Sequence, residues 1–436
     1  MSERAPRWLR GGLDAVRRTG LGHTIASLYG LQFATYVLPV ISFPYLTRVL
    51  GPEQFGLYVF VLVIARYLIL ITDYGFIYTA TRDIAVARAE HRDVGRIYGS
   101  VVVARLLLLS ACGIVLLVLT TTVEHFQQDA NLYWIAFAAG AGSALLPTWL
   151  YQGFERLPFA TGVLVGFRTL GVLLIFVMVH SGDDLSTLMW LYSAPWLAAA
   201  AVTLWAARAR LGVRFRVPTP GSVAHALRAG FGIFVAILAS SLYLTSNVLF
   251  LGLLTNNAQV GFFGAAEAVI TAVKGLVDPL SQALFPRASQ IGARGRDAAL
   301  RYGRMVLRWI GGLGLVLSVL TLALSPLLPV VTGGKFENSV TLLQIMSVLP
   351  LAQALIIVFG AHLMLPLRMD RTYSTVVLIG GLLNVALTLI LVPGLEATGT
   401  AIAVAVTEST IALTLYLPLR HLGLDVLRTA PAPGPA

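Results

Sequence analysis

The chain has 436 residues, 57% of them hydrophobic and only 12% charged, with a formal net charge of +11. A soluble protein carries about 25% charged residues, and the mean hydropathy here is +0.81, which excludes an ordinary water-soluble fold. Apolar runs of about twenty residues recur without the alternation of barrel strands, and lipid offers an open backbone no partner, so the fold class is an all-α integral membrane protein.

In chain order, residues 1–23 form a basic arm with Arg4, Arg7, Arg10, Arg17 and Arg18. Trp8, Leu9, Leu13 and Val16 share one helical face, which predicts an arm lying on the inner membrane surface. No short apolar core with a small-residue cleavage site is present, so no cleaved signal peptide is expected. The hydropathy pattern predicts twelve transmembrane helices, at 24–47, 55–82, 97–122, 131–152, 158–180, 186–207, 229–253, 260–286, 305–331, 338–365, 373–393 and 397–419. Alternate connections, together with both termini, hold 25 of the 31 basic residues. The six intervening loops hold only Arg48 and Lys335. Short cytoplasmic loops retain Lys and Arg, so both termini are predicted to be cytoplasmic. The net charge is then a topology signal, and no nucleic-acid partner is implied.

The external loops are short, which argues against a membrane polymerase or ligase. No Gly-rich phosphate loop or nucleophile elbow is present, and the seven histidines lack metal-ligand spacing. Cys112, the single cysteine, falls within a span, so neither a disulfide nor a thiolate metal cluster is expected. The reading is of a protein that is not an enzyme and has no cofactor or metal.

The halves of the chain resemble each other. QFGLY at 54–58 matches QVGFF at 259–263, an offset that also carries Asp73 onto Asp278, Arg82 onto Arg287 and Arg96 onto Arg301. Two parallel, pseudo-symmetric six-helix lobes are therefore predicted, at 24–207 and 229–419. A cytoplasmic linker at 208–228, rich in Arg and containing Pro218, Pro220 and Gly221, joins them, and a tail follows from 420 to 436.

LPVISFPYLTRVLGPEQFGLY at 38–58, followed by DYGFIYTATRDIAVAR at 73–88, resembles the Wzx-type polysaccharide-biosynthesis flippases. Their superfamily also contains the MATE multidrug exporters and the lipid II flippases. The resemblance is specific over residues 24–96, through Pro39, Pro44, Leu50-Gly51, Phe55-Gly56, Asp73-Tyr74-Gly75-Phe76 and Arg82. Nothing in the seventh span reproduces Pro39 and Pro44, so functional equivalences do not carry into the second half. The resemblance implies a MATE-like pair of lobes in the bacterial cytoplasmic membrane. It implies a flippase that moves an undecaprenyl-pyrophosphate-linked oligosaccharide to the outer leaflet by alternating access, for O-antigen, capsule or exopolysaccharide synthesis. Membrane lipids, a polymerase and a chain-length regulator are its implied partners. Pro39 and Pro44 should kink the first span, as part of a moving gate by family analogy or as a static packing kink.

Four basic residues lie within the predicted spans: Arg66, Arg105, Arg168 and Lys274. Facing lipid, they would together cost on the order of 10–14 kcal/mol. One reading has Arg66, Arg105, Arg168 and Lys274 line a cationic site for the pyrophosphate, which Arg grips bidentately. The other has them paired, Arg66 with Asp73 two turns away and Lys274 with Asp278. Asp73 is better suited to clamp an arginine such as Arg82 at the inner rim, and Asp278 and Arg287 are its repeat equivalents. Glu267 and Glu408 could couple transport to an ion gradient, or simply pair with Lys274 or a hydroxyl. Deep basic residues outnumber these two deep acids, which favours an anionic cargo over the cations of a MATE-type exporter, the competing reading.

Overall fold

The computed structural model describes residues 21–292 and 296–422, and all regular structure among them is helical. Residues 1–20 of the basic arm read at 1–23, and residues 423–436 of the tail read at 420–436, lie outside the described residues. Nine helical segments among the described residues are long and apolar enough to cross a membrane. Two of these, Val40–Ala89 and Asp370–His421, have 50 and 52 residues, enough at 1.5 Å per residue for two crossings of ~30 Å each.

The breaks have local causes. Helix α1 (Leu21–Asp73) keeps helical dihedrals at Pro39 and Pro44 and breaks at Gly51, with φ 71 and ψ 176. The break at Gly51 falls between the first two expected spans, at the residue type that tolerates such a φ. The span expected without interruption over 55–82 is broken by the left-handed pair Tyr74 and Gly75 (φ 46 and 79), after which α2 (Phe76–Ala89) begins. The last helix breaks at Glu396, between the two spans expected there, and doubles back so tightly that a Cβ on Gly399 would lie 2.6 Å from the carbonyl oxygen of Leu391.

The described residues fall into two compact units, one running to 42 and resuming over 64–237, the other comprising 43–63 and the chain from 238. These units differ from the expected lobes at two places. Residues 43–63 pack with the second unit, where the fully buried Phe60 ring fills the space a Cβ would need on Gly252. Residues 208–237 belong to the first unit, so 208–228 is not a free linker.

That segment is strapped to α3 (Val94–Thr122). Gly95 and Gly99, one turn apart on α3, let the chain pass at main-chain distance: Cβ atoms there would meet the carbonyl oxygens of Arg214 and Arg216 at 2.7 and 2.0 Å. The Arg216 guanidinium reaches Asp93 at 2.9 Å, and the Ser222 and Ser100 hydroxyls lie 2.9 Å apart. The core of the first unit gathers Phe76, Ile84, Ala104, Trp149 and Tyr151. The second unit buries Val306, Ile310, Val358, Leu363 and Leu415 around π-helical turns at 307–311 and 357–364. Ile114, Val115, Leu382, Ile390 and Leu413 are among the many large apolar side chains left exposed, as a lipid-facing surface requires.

Replacing Gly99 by Leu places side-chain atoms where the Arg216 carbonyl now lies, so the strap must lift. Limited trypsin digestion of the purified protein should then cut faster after Arg214 and Arg216 than in the parent.

Candidate functional site

The four intramembrane basic residues occupy four different environments. Arg105 on α3 is 1% exposed. Its Nε donates to the Thr72 carbonyl at 3.1 Å, its Nη1 to the Leu146 carbonyl at 3.0 Å, and its Nη2 to the Asp73 carboxylate. Both carbonyls stand at helix ends, where the intrahelical ladder leaves acceptors over. Thr72 is in the last turn of α1. Leu146 follows α4 (Ala130–Leu145), which stops because Pro147 holds the preceding residue extended, at φ −72 and ψ 111. Arg105 is therefore a capping group for two helices, and the expectation that it faces a cationic chamber is corrected.

Asp73 clamps an arginine as expected, but the partner is Arg105 in place of Arg82. Arg82 stays exposed, 3.3 Å from its neighbour Asp83. Other residues of the 73–88 stretch serve packing. Tyr74 stacks on Phe234 with ring centroids 4.5 Å apart, Thr81 donates to the Trp149 carbonyl, and Arg88 donates to the Gly153 carbonyl while lying over Phe154.

Lys274 ends α9 (Asn257–Gly275) and sits 2.8 and 3.1 Å from the two carboxylate oxygens of Glu408. The expected pair with Asp278 presumed one continuous helix. The chain turns at Leu276–Val277, and Asp278 opens α10 (Asp278–Gly292), which removes the i,i+4 register. Glu408 thus takes the paired reading that the sequence left open. Lys274, Glu408, Glu267, Thr271 and Asn247 line a polar cavity of about 110 Å³. Arg287 is exposed on α10.

Two cations are left. Arg66 is exposed on α1 and makes no hydrogen bond or ion pair with any described residue. Arg168, half-buried on α6 (Leu157–Met178), holds its guanidinium 5.6 Å from the Trp196 ring and pairs with no carboxylate among the described residues. A cation–π contact leaves the edge of the guanidinium free to donate. Sequence reasoning missed His362, which is 1% exposed, 3.0 Å from the Ser281 hydroxyl and 3.4 Å from that of Tyr302. It also missed the carbonyls that satisfy Arg105, although a proline inside the predicted span 131–152 was the signal for one of them.

This sorting is testable. Asp73→Asn should destabilise the protein because it strands Arg105, a loss of about 3–5 kcal/mol for a fully buried pair and less here, since the Asp73 side chain is 48% exposed. In a double-mutant cycle read by thermal aggregation in detergent, Asp73→Asn should couple with Arg105→Met and add independently to Arg66→Gln.

The family described as "Polysaccharide biosynthesis protein" matches residues 21–292. Two relatives, both named "Putative O-antigen transporter", are similar over nearly their whole length. The one from Escherichia coli (strain K12) is 29% identical over 412 residues, covering 93% of this chain and 98% of the relative. The one from Shigella dysenteriae is 26% identical over 396 residues, covering 89% and 97%. Among solved structures, an inward-facing multidrug MATE transporter aligns with a TM-score of 0.63 at 12% identity, over 93% of this chain and all of the other. The lipid II flippase MurJ in an inward closed conformation aligns with a TM-score of 0.62 at 12% identity, over 92% and 87%. At that identity the structures show the fold alone. The apolar helices and the bacterial relatives together make this a multi-pass protein of the inner membrane, related to transporters and not to enzymes. With well over half of its length matched, the chain belongs to the polysaccharide biosynthesis protein family.

Proposed function

We propose that the protein is a flippase for undecaprenyl-pyrophosphate-linked oligosaccharide units, carrying them from the inner to the outer leaflet for surface polysaccharide synthesis. Family membership and relatives named as O-antigen transporters support the cargo class. The observation that carries the reading is Arg66, an exposed cation in an apolar helix with no partner among the described residues. Such a group is expensive in lipid unless it meets water or an anion. A pyrophosphate supplies that anion, and the planar guanidinium fork matches it. Arg168 is the second cation available to it, while Arg105 and Lys274 are already neutralised by Asp73 and Glu408.

In this reading twelve spans form two six-helix lobes with both termini in the cytoplasm, and the headgroup crosses by alternating access. Glu267, in the polar cavity of the second unit beside the Lys274–Glu408 pair, is the carboxylate through which an ion gradient would act.

Deleting the gene should leave lipid-linked oligosaccharide on the cytoplasmic side and abolish surface polysaccharide in a strain without a substitute flippase. Arg66→Ala and Arg66→Gln should fail to complement while still accumulating in the membrane. Arg66→Lys should retain partial activity, because a point charge attracts phosphate without the paired donors. Full complementation by Arg66→Gln would refute the grip. For the topology, cysteines at Gln127, Asp183 and Glu396 in a Cys112→Ala background should react with an impermeant thiol reagent from outside, and those at Arg92 and Arg214 should not.

A further inference from the structure

A half-open cavity of about 350 Å³ lies within the first unit, between α2, the start of α3 and the start of α8 (Pro220–Leu254). Its lining is graded along all three helices. Where α2 ends and α3 and α8 begin, it bears Asp83, Arg96, Ser222 and His225. Further along it is apolar, with Phe76 and Ala80 on α2, Val101 on α3 and Ala229 on α8. The distance from Asp83 to Phe76, or from Gly221 to Ala229, is about 10–12 Å along the helix. The cavity is thus polar at its mouth and apolar within, and its size falls in the ~300–1,000 Å³ range of ligand sites. Neither Arg66 nor Arg168 lines it.

The mouth carries a cation that no carboxylate claims. Asp83 is held by its neighbour Arg82 at 3.3 Å. Asp93 accepts from the Gly95 N–H, and its Oδ2 is taken by Arg216 at 2.9 Å, which leaves Arg96 a contact of 4.0 Å with that same oxygen. The Arg96 side chain is 79% exposed. His225 is exposed as well and makes no hydrogen bond with any described residue. Both α3 and α8 begin here, and the partial positive charge of a helix N-terminus adds to that of the guanidinium.

A free anion would answer the mouth and leave the apolar interior unused. A bare hydrocarbon chain would fill the interior and leave Arg96 unanswered. A molecule with an anionic head and a hydrocarbon body answers both, and a phospholipid in the leaflet of the arginine-rich connections has that polarity in that direction. We propose that this cavity binds one anionic phospholipid, its phosphate on Arg96 and His225 and its acyl chain along Phe76, Val101 and Ala229. The bound lipid touches α3 and α8 together, beside the Ser100–Ser222 hydrogen bond, and so braces the strap that crosses α3 at 214–216. Binding here does not depend on transport, so this assignment and the flippase reading stand or fall separately.

The full-length protein, purified and stripped of lipid in detergent, can be offered phosphatidylglycerol. Native mass spectrometry should show one phosphatidylglycerol retained per chain. Trypsin cutting after Arg214 and Arg216 should slow roughly tenfold at ten times the half-saturating lipid concentration, since the strap must lift to be cut. The double variant Arg96→Gln/His225→Gln alters two exposed side chains, so its fold is kept. It should weaken retention roughly tenfold or more, the worth of a hydrogen bond to a charged group, and lose the protection. Retention or protection unchanged in that variant, no protection of the parent, or zwitterionic phosphatidylcholine held as tightly would overturn the proposal. Glycerol 3-phosphate should neither displace the lipid nor slow trypsin; if it does either, the mouth is a site for soluble phosphates and the proposal fails. Undecaprenyl phosphate displacing phosphatidylglycerol at a lower concentration would make the cavity a cargo site and overturn it too.

Discussion

One guanidinium closes two helix ends in the first unit. Arg105 spends its Nε and Nη1 donors on the carbonyls of Thr72 and Leu146 and its Nη2 on the Asp73 carboxylate. In hydrocarbon, a helix end away from the interface is costly and a bare charge costlier still, because neither has water to turn to. Bringing the two liabilities together removes both. The arrangement lets α1 end at Asp73 and α4 end at Leu145 without exposing carbonyls to lipid. It also releases the Asp73–Tyr74–Gly75 turn to redirect the chain onto Phe234.

The second unit answers the same demand differently. Lys274 and Glu408 neutralise each other beside a small polar cavity, with Glu267 nearby. The position equivalent to Arg105 under the repeat is Ile310, which is fully buried in a π-helical turn. The offset that relates Gly56 to Gly261 and Asp73 to Asp278 thus does not carry the buried guanidinium of Arg105 into the second unit. Free cations among the four are confined to the first unit, at Arg66 and Arg168.

Much of the scaffold was legible in the sequence because lipid imposes a simple rule on composition and length. The interruptions near 51 and 396 were placed correctly, since loop residues and an acid mark them. That residues 43–63 group with the second unit was not legible, because hydropathy carries no information about which neighbour a helix chooses. Arg105 was missed as the partner of Asp73, and Asp278 was offered to Lys274 alongside Glu408, for another reason. Periodicity assumes an unbroken helix, and both residues stand where the helix stops. The strap at 208–228 looked like a tether by composition, and only the paired glycines of α3, spaced one turn apart, hinted that another backbone lay across them.

The capping role of Arg105 has a consequence for synthesis of the protein. The helix that carries it emerges from the ribosome about forty residues before Leu146, one of the acceptors that satisfy it. Until that carbonyl arrives, α3 enters the bilayer with a cation only partly compensated, a burden of up to about 2.5–3.5 kcal/mol on insertion scales. Asp73 and Thr72 are already made by then and can hold the guanidinium in the interim. The order of residues along the chain therefore escorts the charge into the membrane, first with a carboxylate and one carbonyl, then with the second carbonyl that fixes the helix in place.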